Sequence, residues 1–147
     1  MEDKYKALAD FTGLEIIQQF AAGELIVPMV QDLPMSFDQV EKGCITGTAK
    51  AGAQHLNAMG TVHGGFSATV LDSLTGCVVH TMLDKGVFYS TIDLNIKMLR
   101  PLPMDEEVQL EAHVISMTKN IGVSEASIKD GSGKVLAHAT ATCFILQ

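Results

Sequence analysis

Two kinds of chemically capable group lie close together in the run NAMGTVHGGFSATVLDSLT, from Asn57 to Thr75. One is the glycine pair Gly64-Gly65, directly after His63; the other is the carboxylate of Asp72, nine residues beyond that histidine. Where a Gly-rich turn becomes a helix, backbone N–H groups are left unpaired and the helix dipole adds partial positive charge. An oxygen gaining negative charge against the Gly64 N–H would be stabilised there, and glycine lets a ligand approach the backbone with no Cβ in the way. Asp72 can activate water or attack carbon. Its setting makes it conspicuous. FSATVLDSLTGCVVHTML is small or apolar on most sides, the pattern of a buried helix. A carboxylate among Val70, Leu71 and Leu74 then costs several kcal/mol unless it has partners, a shifted pKa or a reaction to serve.

The spacing constrains how these groups combine. Gly64 and Asp72 are eight residues apart on one helix, so about 12 Å separates them along its axis. A single reacting carbonyl cannot touch both from one chain. If both act on it, they come from two chains whose helices pass antiparallel, which predicts a dimer with two equivalent sites at its interface. Asn57, His63 and Gly64 would then belong to one protomer and Asp72 to the other. Plainer roles compete: the glycines make a tight entry to the helix, His63 caps the turn, and Asp72 is a satisfied core carboxylate. Asn57 is placed to order either the turn or an attacking water.

The elements that must carry these residues read as follows. Leu8, Phe11, Leu14, Ile17 and Phe20 recur at helical spacing, predicting an amphipathic helix over Tyr5–Ala22 weakened at Gly13 and stopped near Gly23. Pro28 and Pro34 bracket an irregular connector. Met35–Glu41 and Cys44–Lys50 read as short strands turning at Lys42-Gly43. The central helix ends near Asp84-Lys85-Gly86. A period-two strand follows from Phe88, with Phe88, Ser90, Ile92, Leu94, Ile96 and Met98 on one face, closed by Pro101 and Pro103. Val108–Met117, Val123–Lys129 and Lys134–Leu146 are further strands, the last two joined by the Asp130-Gly131-Ser132-Gly133 turn. Ala137, Ala139 and Ala141 suit close packing of the helix on the sheet. The expectation is α+β: an antiparallel sheet wrapped around one long central helix, with a helical extension over residues 1–32 and the main domain over 33–147.

Composition narrows the classes. A chain of 147 residues with 47% hydrophobic and 18% charged residues is long and apolar enough for one domain with a substantial core. The net charge of −7 argues against nucleic acid as a partner. MEDKYKALADF lacks a signal-peptide pattern and the central helix carries Asp72 and His80, so neither export nor a membrane span is expected. Cys44, Cys77 and Cys143 stand far apart in apolar settings and read as buried free thiols, making the cytoplasm the default location. His55, His80, His113 and His138 lack ligand spacing, and no metal is expected.

Asn57-x-x-Gly60-x-x-His63-Gly64-Gly65 with Asp72 nine residues after His63 resembles the signature of hotdog-fold acyl-CoA thioesterases, most closely the PaaI-like subgroup. Leu99-Arg100-Pro101 and the Asp130–Ala137 element, DGSGKVLA, are similar to that family too. The resemblance implies the hotdog fold, hydrolysis of an acyl-CoA thioester to acid and free CoA, and sites built between subunits of a homodimer, commonly paired into a tetramer. It implies no cofactor beyond coenzyme A as part of the substrate. By resemblance, Ser90 on the inner face of the first long strand hydrogen-bonds the water or the carboxylate, with Thr75 a second candidate for that contact. Lys97, Arg100, Lys119 and Lys134 are candidates for CoA phosphates; Lys119-Asn120 stands where family members often carry Gly-Arg, replacing a bidentate group with a point charge. Gly65 and Phe66 would touch substrate, while Phe66, Val70, Phe88 and the methionines suit an aromatic or a medium-chain acyl group alike. Two other readings are a hotdog hydratase or dehydratase, for which no His-rich motif is visible, and a non-catalytic acyl-CoA sensor, which would have no use for Asp72.

Overall fold

A computed structural model of the protein describes residues 7–146. Thr12 starts helix α1 (Gly13–Ala21) with a capping box: its hydroxyl accepts from the Glu15 N–H, and the Glu15 carboxylate accepts from the Thr12 N–H at 2.7 Å. Ala7 and Leu8 are helical as well, but the chain turns at Ala9 and Asp10, so the single helix expected over Tyr5–Ala22 is broken before Thr12 and Gly13 opens α1 instead of weakening its middle; Tyr5 lies outside the described residues. Gly13 is needed for closeness, because a Cβ there would sit 1.7 Å from the His80 carbonyl oxygen. The connector contains a short helix, α2 (Pro28–Gln31), with proline at its start.

Strands β1 (Met35–Glu41) and β2 (Cys44–Lys50) follow, turning through Gly43 at φ 78°. The central helix α3 runs from Gly64 to His80. It stops at Thr81, before the expected Asp84-Lys85-Gly86 stop; Gly86, at φ 73°, belongs to the turn that leads into β3. Next come β3 (Phe88–Met98), β4 (Glu107–Met117), β5 (Ile121–Lys129) and β6 (Val135–Leu146). All six strands form one antiparallel sheet in the order β1-β2-β4-β5-β6-β3.

α3 lies across β3, β4, β5 and β6. Ala137, Ala139 and Ala141 on the concave face of β6 are fully buried, and Val70, Leu71, Leu74 and Val78 fill the space between helix and sheet. Burial of each such aliphatic side chain is worth about 1.5–3 kcal/mol. Ser124 on β5 adds a polar tie by donating to the Thr75 carbonyl at 2.9 Å. Ile16 and Ile17 of α1 join the same core, and Gln18 donates to the Val40 carbonyl.

β3 departs from a regular alternation. Its register against β6 shifts between Thr91 and Asp93, a β-bulge at Ile92. Before the bulge Tyr89 and Thr91 pair with inward-facing Ile145 and Cys143; after it Leu94 pairs with inward-facing Ala141. The extra residue exchanges the two faces halfway along the strand.

Candidate active site

The turn before α3 is held by Asn57. Its Oδ1 accepts from the N–H groups of Met59 and Thr61, its Nδ2 donates to the Thr61 hydroxyl at 2.9 Å, and Gly60 takes φ 77°. Of the two roles open to Asn57, ordering the turn is the one its contacts describe. His63 is the N-cap of α3: its Nδ1 accepts from the Gly65 N–H at 2.8 Å. That bond consumes the Gly65 donor, whereas the Gly64 N–H finds no acceptor among the described residues. One donor is thus left at a helix N-terminus for a ligand oxygen.

Asp72 is not the buried carboxylate its apolar neighbours suggest. The sheet covers one side of α3, and Asp72 is exposed on the other, in line with Gly65, Thr69 and Ser73, where nothing described covers it. It lines a cleft of about 430 Å³ between α3 and α1, with Ser73, Cys77, His80, Tyr89 and Thr91. His63, Gly65, Phe66 and Thr69 line a separate cleft of about 650 Å³ toward α2, together with Asp32, Gln54 and His55. The two ends of the helix segment therefore open onto different cavities of one chain.

Several expected partners stand elsewhere. Ser90 pairs with exposed Phe144 and is itself exposed, on the face of the sheet away from α3. Its neighbour Thr91 faces inward beside Asp72, with its hydroxyl 3.9 Å from the Cys143 sulfur. The bulge causes this exchange. Thr75 is fully buried and donates to the Leu71 carbonyl at 2.8 Å, with a longer contact to the Asp72 carbonyl; it faces the sheet and serves the helix backbone rather than the carboxylate. Phe66 is buried with its ring 4.7 Å from that of His55, and Val70 is closed within the core, so neither borders the Asp72 cleft. Phe88 does border it.

The cations are dispersed. Arg100 lies at the Gly64 end of the sheet and donates to the Val135 carbonyl at 2.6 Å; Lys134 opens the neighbouring strand at that end. Lys97 pairs with His138 across the outer face, away from α3. Lys119 lies in the β4–β5 turn, at the opposite end. The length of β5 puts roughly 25 Å between the two ends, so Lys119 and Arg100 of one chain cannot hold one phosphate group. On the outer face Glu125 accepts from both His113 and His138, at 2.7 and 2.8 Å, and the His138 bond is the largest cause holding its carboxyl below the usual range.

Burial tunes the rest of the Asp72 cleft. It pushes the Cys77 thiol up to about 12, helped by the charge of Asp72 and by Cys143, so the thiol stays protonated and is no nucleophile. The Tyr89 phenol is raised for the same first reason. Burial alone pushes His80 down to about 4, which keeps its ring neutral. Its Nε2 is buried without a hydrogen-bond partner among the described residues, beside the rings of Phe88 and Tyr89. Cys143 is buried, but Cys44 is exposed at the start of β2, contrary to its apolar context. Tyr89 and Thr91 carry no spacing signal pointing to Asp72; the bulge turns that stretch of β3 toward the helix. Among the described residues no group of three or more His, Cys, Asp or Glu could hold a metal ion, and no helix is long and apolar enough to cross a membrane.

A six-stranded antiparallel sheet curved around one helix, with a free N–H at the helix start and a carboxylate two turns on, defines a hotdog-fold protein. The sequence model of the Thioesterase superfamily matches residues 59–137, more than half of the chain, and the chain belongs to that family. Acyl-coenzyme A thioesterase 13 of Mus musculus is 29% identical over 94 residues, a match spanning 63% of this chain and 66% of that protein, just under two thirds of its length. A phenylacetic acid degradation-related protein from Ralstonia eutropha JMP134 superposes with a TM-score of 0.77 at 28% identity, covering 86% of this chain and 97% of that one. The PaaI protein from the phenylacetic acid degradation operon of E. coli shares the fold, with a TM-score of 0.79 at 20% identity over 88% of this chain and 92% of its own.

Proposed function

We propose that the protein hydrolyses an acyl-CoA thioester to the free acid and CoA, at sites built from two protomers. The Gly64 N–H of one chain polarises the thioester carbonyl and stabilises the oxyanion; Asp72 of the other supplies the carboxylate. With Asp72 as base, it takes a proton from water, the water oxygen bonds to the carbonyl carbon, and collapse of the tetrahedral intermediate breaks the C–S bond. CoA leaves as the thiolate and is protonated. Family membership supports the reaction class, and the name of the mouse relative supports a CoA ester as substrate.

The observation that carries the two-protomer arrangement is that Asp72 and the His63–Gly65 turn open onto separate cavities on one helix. Small groups flank Asp72 on its exposed side, Gly65, Ala68, Thr69 and Ser73, so a second copy of α3 can approach closely there. Asp72→Ala is the direct test, assayed by thiol release over a panel of aromatic and aliphatic acyl-CoAs. Activity should fall by about two to four orders of magnitude while CoA-ester binding survives. Unchanged hydrolysis in that variant refutes the assignment. Negligible rates of the unaltered protein on every ester, with binding retained, indicate a sensor instead.

A further inference from the structure

We propose that the cleft between α1 and α3 is the acyl pocket, that it takes a medium-length aliphatic chain, and that α1 and the connector after it form the wall that sets the chain length. The inference rests on the thioesterase reading above and assigns the acyl half of that substrate to the chain that carries Asp72.

Polarity separates the two cavities. The one beside His63 and Gly65 sets Asp32, Gln54 and His55 among Pro28, Met29, Leu33 and Leu56, a mixed lining suited to the amide-bearing arm of CoA. The one beside Asp72 is walled by Leu8, Ile16, Ile17, Leu25, Val27 and Val30, with Phe20 closing it. Aliphatic side chains from Leu8, α1 and the connector supply that wall; the polar groups and the rings of His80, Phe88 and Tyr89 lie on the α3 and β3 side, where the reacting carbon must sit. A flat ring would find its stacking faces only on the α3 and β3 side and at Phe20, whereas a flexible chain that passes those rings also fills the branched aliphatic wall beyond them.

The wall is also fixed in place. The Thr12–Glu15 capping box holds its first turn, the Gly13 N–H donates to the Leu83 carbonyl at 3.0 Å, and Phe20 packs edge-on against Phe37 at 5.1 Å. The pocket thus exists before substrate arrives, and its depth is set by α1 together with Leu25, Val27 and Val30 of the connector.

Acyl-CoAs from butanoyl to palmitoyl, compared by kcat/KM, test the pocket. The unaltered protein should peak between hexanoyl and decanoyl. Phe20→Ala, which opens the far wall, should move the optimum up by about two methylenes. Val30→Phe should cost decanoyl-CoA about tenfold and leave butanoyl-CoA within about twofold, the scale on which apolar pockets discriminate methylenes. A readout free of catalysis accompanies it: decanoate, but not butanoate, should shift the 13C-methyl resonance of Met35, which lines the cleft, in the unaltered protein and in Asp72→Asn. An unmoved Met35 methyl, or a length profile that neither wall variant alters, overturns the proposal. A shifted Met35 methyl with no hydrolysis of any ester upholds the pocket and refutes the thioesterase reading instead.

Discussion

His80 is a residue whose cost is legible in its surroundings. It ends α3 under Gly13 of α1, with a ring nitrogen that has no partner among the described residues and a pKa held at about 4 by burial. The native state therefore binds fewer protons at this site than the unfolded chain, whose histidine titrates near its ordinary value. Stability from the neutral ring is complete above about pH 6.5 and is lost as pH falls toward 4, up to on the order of 3 kcal/mol. Urea unfolding at pH 7 and pH 5 should show about 2 kcal/mol of that loss, and His80→Leu should remove much of the slope while costing little at pH 7, because it also deletes a polar atom with no partner among the described residues. If the variant keeps the full pH slope, the loss originates elsewhere. Thiol reactivity is a second residue-scale expectation. Exposed Cys44 should react with a thiol reagent first, half-buried Cys77 with its raised pKa much more slowly, and buried Cys143 only on unfolding.

At the scale of elements, the start of α3 separates two properties that usually change together. Gly64 occupies the first helical position, where proline is tolerated and carries no N–H. A Cβ there meets only the flexible end of Met98, 2.7 Å from its sulfur. Gly64→Pro and Gly64→Ala should thus fold alike, and of the two only proline deletes the oxyanion donor. We expect Gly64→Pro to lose about two to three orders of magnitude in kcat and Gly64→Ala far less; equal losses would mean that space, not the donor, matters at this position. The HGG turn, the helix and most strand limits could be read from the sequence because turn chemistry and hydrophobic period are local signals. Ser90 could not be placed: its face depends on a bulge two residues later, and alternation carries no mark of an extra residue until the partner strand is known. The start of α1 was missed because Leu8 and Phe11 continue the helical spacing past the point where Thr12 caps it. Asp72 looked buried since periodicity counts apolar neighbours without saying how much of a helix the sheet can cover.

For the whole molecule, β1 and β3 are the free edges of the sheet, and Asp72 lies on the uncovered side of α3. Both are features that a second copy of the chain would complete. A site shared between protomers has a consequence that no single-chain site shares. Asp72→Asn and Gly64→Pro chains each form homodimers in which every site lacks one essential group. Unfolded together and refolded as a mixture, half of the dimers combine one chain of each kind. In such a dimer the intact Gly64 of the first chain meets the intact Asp72 of the second, and one of the two sites is whole. About a quarter of the unaltered activity should return from two nearly inactive preparations. A site contained within one chain gives no recovery at any mixing ratio, and sedimentation showing a fully active monomer would contradict the shared site in the same way.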